Sequence, residues 1–159
     1  MATFTEVEAD EPEFAARVRA AFDAREHKIL ATLRPDGAPR ASGITMQFVA
    51  GEPWLAGMPR SVKFADLRRD GRFALHSSSA DSDAFIADAK LSGLAVEVTD
   101  PAERAAFATA AGVPSGSGGF ELFRVELDQV VLVHLDEGRT ALVIDSWRPG
   151  RGLTSARRT

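Results

Sequence analysis

The chain has 159 residues, of which 45% are hydrophobic and 26% are charged, and this composition excludes collagen-like, mucin-like and disordered chains. A formal net charge of −4 argues against a nucleic-acid partner, and the absence of cysteine excludes disulfides, thiolate nucleophiles and cysteine-ligated metals. This length predicts one domain over residues 1–159.

The N-terminal segment 1–27 is predicted to be helical. It begins with acidic residues where a signal peptide would be basic, and no apolar run in the chain approaches the length of about 18 residues that a membrane span needs. We therefore expect a cytoplasmic protein with no membrane contact.

Asp10 is predicted to cap a helix, and Phe14, Val18 and Phe22 then recur every four residues to form one apolar stripe.

An alternation of period two then predicts an antiparallel three-stranded meander over 28–34, 40–49 and 54–58. The first two strands are joined by Pro35-Asp36-Gly37, which is typical turn chemistry. Residues 61–69 follow as a short helix with Ser61 at its N-cap, ended by Asp70-Gly71.

The second half of the chain predicts further strands and one more helix. In chain order these are a strand from Phe73, a strand over 91–99, a helix from Asp100 to Gly112, a strand over 122–135 with a possible break near Asp128, and a strand over 140–147. The polar segments 77–83 and 114–119 are predicted loops, and the basic segment 148–159 is predicted to be a tail that frays. Mostly antiparallel strands with two or three peripheral helices predict an α+β fold with a barrel-like sheet.

The most informative stretch for function is Gly57-Met58-Pro59-Arg60-Ser61-Val62-Lys63, where a strand end meets a helix start. Unpaired backbone N–H groups, a hydroxyl and two cationic side chains converge there, at the positive end of the helix dipole. Arginine supplies a planar fork and lysine a point charge, a combination that suits a terminal phosphate. A surface helix with an ordinary serine cap and solvated basic residues is the alternative that the sequence leaves open.

Four segments occur in an order that resembles the pyridoxamine 5′-phosphate oxidase-like family of FMN-binding split-barrel proteins. They are LATLRPDGAPR at 30–40, RSVK at 60–63, LRRD at 67–70 and SWRPGRG at 146–152. The resemblance implies a split β-barrel and a homodimer that binds FMN, or the deazaflavin coenzyme F420, in a groove at its interface. It also implies an oxidoreductase that acts on a small molecule.

The resemblance implies that the cofactor phosphate is held by Ser61 and Lys63, with Arg60 beside them. Gly57 and Met58 would lie under the ribityl chain or at the edge of the ring. In such a site the flavin carries the redox chemistry, so no side chain of the protein is assigned as an acid or a base.

Five further cofactor contacts are implied by the same resemblance. Arg40, Ser42 and Thr45 would contact the ring system from the second strand of the meander. Lys90 would make a polar contact, and Trp147 would reach the cofactor from the partner chain.

The substrate and the electron donor stay open, because this chain departs from the oxidases that act on pyridoxamine phosphate. Those enzymes carry an aromatic residue near position 56 and a C-terminal arginine motif, whereas this chain has no tyrosine and its last matching segment is Trp-Arg-Pro-Gly-Arg-Gly. A flavin- or haem-binding protein without catalytic activity is the alternative from another class. His27, His76 and His134 are scattered without metal-ligand spacing, so no metal is expected.

Overall fold

The computed structural model describes residues 1–79, 85–114 and 119–159, so parts of both predicted polar loops lie outside the described residues. Within these ranges there are four helices, α1 (Phe4–Asp10), α2 (Pro12–Asp23), α3 (Val62–Arg69) and α4 (Pro101–Ala110). The strands are β1 (His27–Leu33), β2 (Pro39–Val49), β3 (Glu52–Gly57), β4 (Arg72–His76), β5 (Ala87–Glu97), β6 (Glu121–Leu135), β7 (Leu142–Arg148) and β8 (Gly152–Arg158). None of the helices in the described ranges is long and apolar enough to cross a membrane.

All the strands belong to one antiparallel sheet in the order β3-β2-β1-β4-β5-β6-β7-β8. An additional pairing of β3 with β6 closes the first six into a barrel, and β7 and β8 extend the sheet beyond it. The predicted α+β barrel with peripheral helices is confirmed, with one more helix than expected among the described residues. The predicted meander is β1, β2 and β3, and the turn at 35–37 joins its first two strands.

The core fills the barrel and both of its ends. Alternate residues of the strands point inward, and Leu30, Leu75 and Leu91 are fully buried there. At the end where β1 begins, α1 and α2 cover the opening, and the predicted stripe of α2 is buried as expected. At the opposite end α3 covers the opening, where Phe64 stacks on Phe123 with ring centroids 5.1 Å apart.

The predicted break near Asp128 is a β-bulge, and β6 continues through it. Ser92 pairs with Gln129 whereas Gly93 pairs with Leu127, so Asp128 is the extra residue. A Cβ atom at Gly93 would lie 1.9 Å from a backbone oxygen of β6, so only glycine permits this approach. The long strand therefore bends around the barrel and still pairs with β5 on both sides of the bulge.

The predicted N-terminal helix forms as α2, but α1, which precedes it, was not predicted, and the predicted cap at Asp10 was wrong. Thr3 and Glu6 form a capping box, in which the Thr3 hydroxyl accepts the Glu6 N–H and the Glu6 carboxylate accepts the Thr3 N–H, and α1 starts there. Asp10 is the last residue of α1 and does not cap α2. Its carboxylate instead accepts a 2.7 Å hydrogen bond from the indole N–H of Trp147.

The C-terminal prediction of a fraying tail was also wrong, because residues 152–158 form β8. This strand pairs with β7 along its whole length. Side chains support the ladder: the Ser155 hydroxyl donates to Asp145 at 2.7 Å, and the Thr154 hydroxyl donates to the Ser146 carbonyl at 3.1 Å. The glycines between β7 and β8 make a tight turn, in which Gly150 and Gly152 both have positive φ.

Candidate functional site

A groove of about 840 Å³ lies outside the barrel, between the outer face of β2 and β3 and the C-terminal end of α4. Its floor is formed by Thr45, Gln47, Trp54 and Ala56, and its walls include Met58, Arg60, Phe107, Val113 and Phe120. Most of this lining is apolar, and Arg60 is its single charged residue within the part of the chain that the structure describes. A flat apolar ligand with one anionic group fits such a lining.

The far wall of the groove is a fixed group of aromatic rings. The Phe107 ring on α4 lies 5.3 Å from Trp54 and 5.9 Å from Phe120, measured between centroids. The Arg104 guanidinium stacks 4.8 Å above the Phe120 ring and donates a 3.0 Å hydrogen bond to the Val98 carbonyl. These contacts hold the wall in place without any ligand.

The near wall is the loop that joins β3 to α3. Ser61 stands at the N-cap position, as predicted, but its hydroxyl donates to the Met58 carbonyl at 2.8 Å and makes no capping bond. No side chain caps the N–H groups in the first turn of α3, which lie at the positive end of the helix dipole, and the Phe64 N–H donates to the Ser61 carbonyl at 3.1 Å. Met58 is 80% exposed beside them.

Lys63 brings a second positive charge to the same place. Its ammonium donates a 3.1 Å hydrogen bond to the Gly43 carbonyl, so the side chain lies across the outer face of β2. A Cβ atom at Gly43 would meet nothing within 4 Å, which means that the space beside this contact is open. At Gly57, by contrast, a Cβ atom would lie 3.0 Å from the Phe64 ring, so that glycine serves the packing of α3.

Arg40 is held by contacts within its own chain. Its guanidinium donates a 2.7 Å hydrogen bond to the buried carboxylate of Asp66 on α3. Asp66 also accepts hydrogen bonds from the Thr32 hydroxyl at 3.0 Å and from Arg69 at 3.1 Å. Arg40 therefore ties β2 to α3 at the barrel end, and Ser42 lies on the same inward side of the strand as Ile44.

The Asp66 carboxyl has a lowered pKa as the net result of two opposing effects. Burial raises the pKa, but the hydrogen bonds from Arg40, Thr32 and Arg69 outweigh burial and hold it below its ordinary value. The group is thus ionised in the folded protein and pairs with two arginines. The first turn of α3 contains no acidic residue, and neither the Arg60 guanidinium nor the Lys63 ammonium forms an ion pair among the described residues.

Lys90 and Trp147 lie away from the groove. The Lys90 ammonium is 3.9 Å from the Asp88 carboxylate on β5, three strands from β2 in the sheet. Trp147 is 3% exposed and belongs to the hydrophobic core of its own chain.

The structure thus brings together six of the ten residues assigned from the sequence: Thr45, Gly57, Met58, Arg60, Ser61 and Lys63. The aromatic wall was not predicted from the sequence, because the three rings that form it come from segments far apart in the chain. Its one visible signal was Phe107, the single large apolar residue of the predicted helix.

Comparison with known proteins identifies one matching family and several solved structures with a similar fold. A family model described as pyridoxamine 5′-phosphate oxidase matches residues 14–134. The solved structure of PhzG from Burkholderia lata, in complex with tetrahydrophenazine-1-carboxylic acid, has a TM-score of 0.63 at 18% identity and covers 96% of each chain. A pyridoxamine 5′-phosphate oxidase-related FMN binding protein from Nostoc punctiforme also has a TM-score of 0.63, at 12% identity, covering 92% of this chain and 95% of that one.

A heme binding protein from Mycobacterium smegmatis has a TM-score of 0.56 at 19% identity, covering 89% of this chain and 85% of that one. At these identities the likeness concerns the fold. No curated protein matches the chain.

We expect Asp66→Asn to destabilise the protein at neutral pH by about 1–3 kcal/mol, because it leaves the arginines around it without a carboxylate. Folding lowers the pKa of Asp66, so its contribution is fully present above the ordinary aspartate pKa of about 3.9 and is lost as the pH falls through the lower folded-state value. Urea denaturation should therefore show a stability gap between wild type and variant that is constant near neutrality and narrows in acid.

The matched control is Glu137→Gln, since this exposed carboxylate makes no hydrogen bond among the described residues. Its stability should follow the wild type at every pH. A gap for Asp66→Asn that stays constant down to about pH 2 would contradict the charged role of Asp66.

Proposed function

The chain belongs to the pyridoxamine 5′-phosphate oxidase family, and on that premise we propose that it is a homodimeric oxidoreductase that uses FMN to oxidise or reduce a small molecule. The observation that supports this most is the junction of an apolar groove with the cationic start of α3. One end of that arrangement suits a flat ring and the other suits its phosphate. When bound, the flavin supplies hydride transfer at its N5 atom.

The donor set at the start of α3 fits a phosphate group. Arg60 offers a guanidinium that has no hydrogen bond or ion pair among the described residues, and Lys63 offers an ammonium whose present partner is a backbone carbonyl. The N–H groups of the first turn that no side chain caps add neutral donors, and the Ser61 hydroxyl adds another once it turns away from the Met58 carbonyl. Charged donors together with helix N–H groups are the usual means by which proteins hold phosphate.

The groove suits the ring system of FMN. Its floor is the outer face of two paired strands, in which Thr45 lies directly opposite Ala56 and gives a flat surface with one hydroxyl. Phe107 and Phe120 exclude water along the far side, while Met58 covers the near side. Residues of this kind bind and orient a flavin, and backbone N–H groups can stabilise the negative charge that develops on its pyrimidine edge.

Haem fits this groove less well than flavin does. Haem iron is held by histidine, cysteine, methionine or tyrosine side chains. Of these residue types the described lining contains only Met58, which is exposed at the rim. The lining therefore favours a ligand that needs no axial bond.

FMN is also favoured over the deazaflavin coenzyme. The deazaflavin tail continues beyond its first phosphate into an oligoglutamate chain, which needs further cations. Three further cationic residues have partners within the chain: Arg40 binds Asp66, Lys90 lies beside Asp88, and Arg148 donates to Gln129 at 2.7 Å. Arg60 and Lys63 remain, which is enough for one phosphate.

A second copy of the chain would cover the outer face of β1, β2 and β4 beside the groove. The residues on this face are small or apolar and largely exposed: Ile29, Ala31, Ala41, Gly43 and Ala74. Ile29 is 45% exposed and lies directly between Gly43 and His76 in the cross-strand register. An exposed apolar face of this kind marks an interaction surface, and its position beside the groove supports a dimer that encloses the cofactor.

We expect Lys63→Ala to weaken FMN binding about ten- to a hundredfold while riboflavin binding stays nearly unchanged, because a charge-assisted bond to phosphate is lost. Fluorescence titration of the purified protein with each ligand measures both affinities. Lys90→Ala is the matched control, since this lysine pairs with Asp88 away from the groove and its loss should change neither affinity. Equal weakening of both ligands in Lys63→Ala would contradict the phosphate role.

Light scattering of the wild-type protein should give about twice the mass of one chain, and Ile29→Glu should shift the protein towards monomer. The buried charge in the variant interface would have no partner, which opposes association. Leu142→Glu is the matched control, because Leu142 is 40% exposed on β7, away from the proposed interface. A wild-type monomer at micromolar concentration, or a dimer unaffected by Ile29→Glu, would contradict this interface.

A further inference from the structure

The proposed phosphate site depends on a backbone conformation that its own residue type does not favour. Arg60 has φ of 64°, in the left-handed region that non-glycine residues seldom adopt. A side chain held there needs support from surrounding structure. The contacts of the Arg60 backbone therefore identify what maintains the loop.

Glu121 supplies that support from behind the loop. It begins β6 and lies opposite Gly57 in the β3–β6 register. Its Oε1 atom accepts the Arg60 backbone N–H at 3.2 Å and a hydrogen bond from Arg68 at 2.8 Å. The Glu121 side chain is 13% exposed, so the carboxylate acts from a mostly buried position.

Arg68 pairs with the Glu121 carboxylate and reduces its negative charge beside the proposed phosphate site. An uncompensated negative charge behind an anion site would repel the phosphate, and the Arg68 guanidinium, which donates to Glu121 at 2.8 Å, offsets part of that charge. Arg68 also binds the Glu97 carboxylate, with hydrogen bonds of 2.9 and 2.6 Å. Glu121 and Glu97 thus share one arginine, but only Glu121 touches the loop.

The hydrogen bonds of Glu121 are concentrated on one oxygen. Oε1 serves both Arg60 and Arg68, whereas Oε2 is buried and has no partner among the described residues. An ion pair that served stability alone would gain from using both oxygens. The orientation instead places the shared oxygen at the Arg60 N–H.

We propose that Glu121 is a positioning residue for the cofactor phosphate. By fixing Arg60 in its left-handed conformation, it directs the guanidinium towards the groove and sets Ser61 at the start of α3 before any cofactor binds. Glu121 acts through Arg60 and does not contact the cofactor itself. This role rests on the phosphate site proposed above.

The test compares three variants of the full chain by FMN and riboflavin titration and by amide hydrogen exchange of the unliganded protein. Glu121→Ala should weaken FMN binding about tenfold, leave riboflavin binding within about twofold, and speed exchange at the backbone amides of Arg60 and Ser61. Glu121→Gln should restore near wild-type behaviour, because its amide oxygen still accepts the Arg60 N–H. Glu97→Ala is the matched control: it removes a partner of Arg68 without touching Arg60, and it should change neither measurement.

Glu121→Asp covers the case in which Glu121→Ala does not fold. The aspartate keeps the negative charge, but its side chain is one methylene shorter, so the carboxylate no longer reaches the Arg60 N–H. This variant should show the same selective loss of FMN affinity. Equal loss of FMN and riboflavin in the Glu121 variants, or a loss in Glu97→Ala as large as in Glu121→Ala, would overturn the proposal. Wild-type protein that binds FMN no more tightly than riboflavin would instead contradict the phosphate site itself, so the two failures are told apart.

Discussion

The pairing of β3 with β6 is the interaction on which the rest of the structure depends. It closes six strands into a barrel, and in the same register it sets Gly57 opposite Glu121 and Ala56 opposite Leu122. The first of these pairs lies at the loop that starts α3, and the second lies beneath the groove. Closure of the barrel and placement of the candidate site are therefore consequences of one ladder of backbone hydrogen bonds.

The distribution of charge around α3 follows from the same closure. Asp66 and Arg68, in the middle and last turn of the helix, are paired with groups on the barrel, namely Arg40 from β2 and Glu97 and Glu121 from β5 and β6. These pairs fix the helix over the barrel end. The cations at its start have no carboxylate partner within the described chain, so the fold is anchored at one end of α3 and able to receive an anion at the other.

The sequence predicted the parts of the fold that local chemistry decides. The turn at 35–37, the helix after Ser61 and the helix after Asp100 each carry their own start and stop signals, and they form where expected. Contacts between residues far apart in sequence explain the parts of the structure that were not predicted. The ion pair of Arg40 joins it to Asp66, which is distant in sequence; β8 needed β7 to become a strand; and the aromatic wall forms only when α4 packs on β3.

The proposed function requires the start of α3 to hold the phosphate of a flavin whose ring lies on the outer face of β2 and β3. A crystal structure of the protein grown with FMN would test this placement. We expect phosphate oxygens within hydrogen-bond distance of Arg60, Ser61 and Lys63, and a ring between Thr45 and the wall formed by Phe107 and Phe120. A phosphate bound away from α3, or a ring outside this groove, would contradict it.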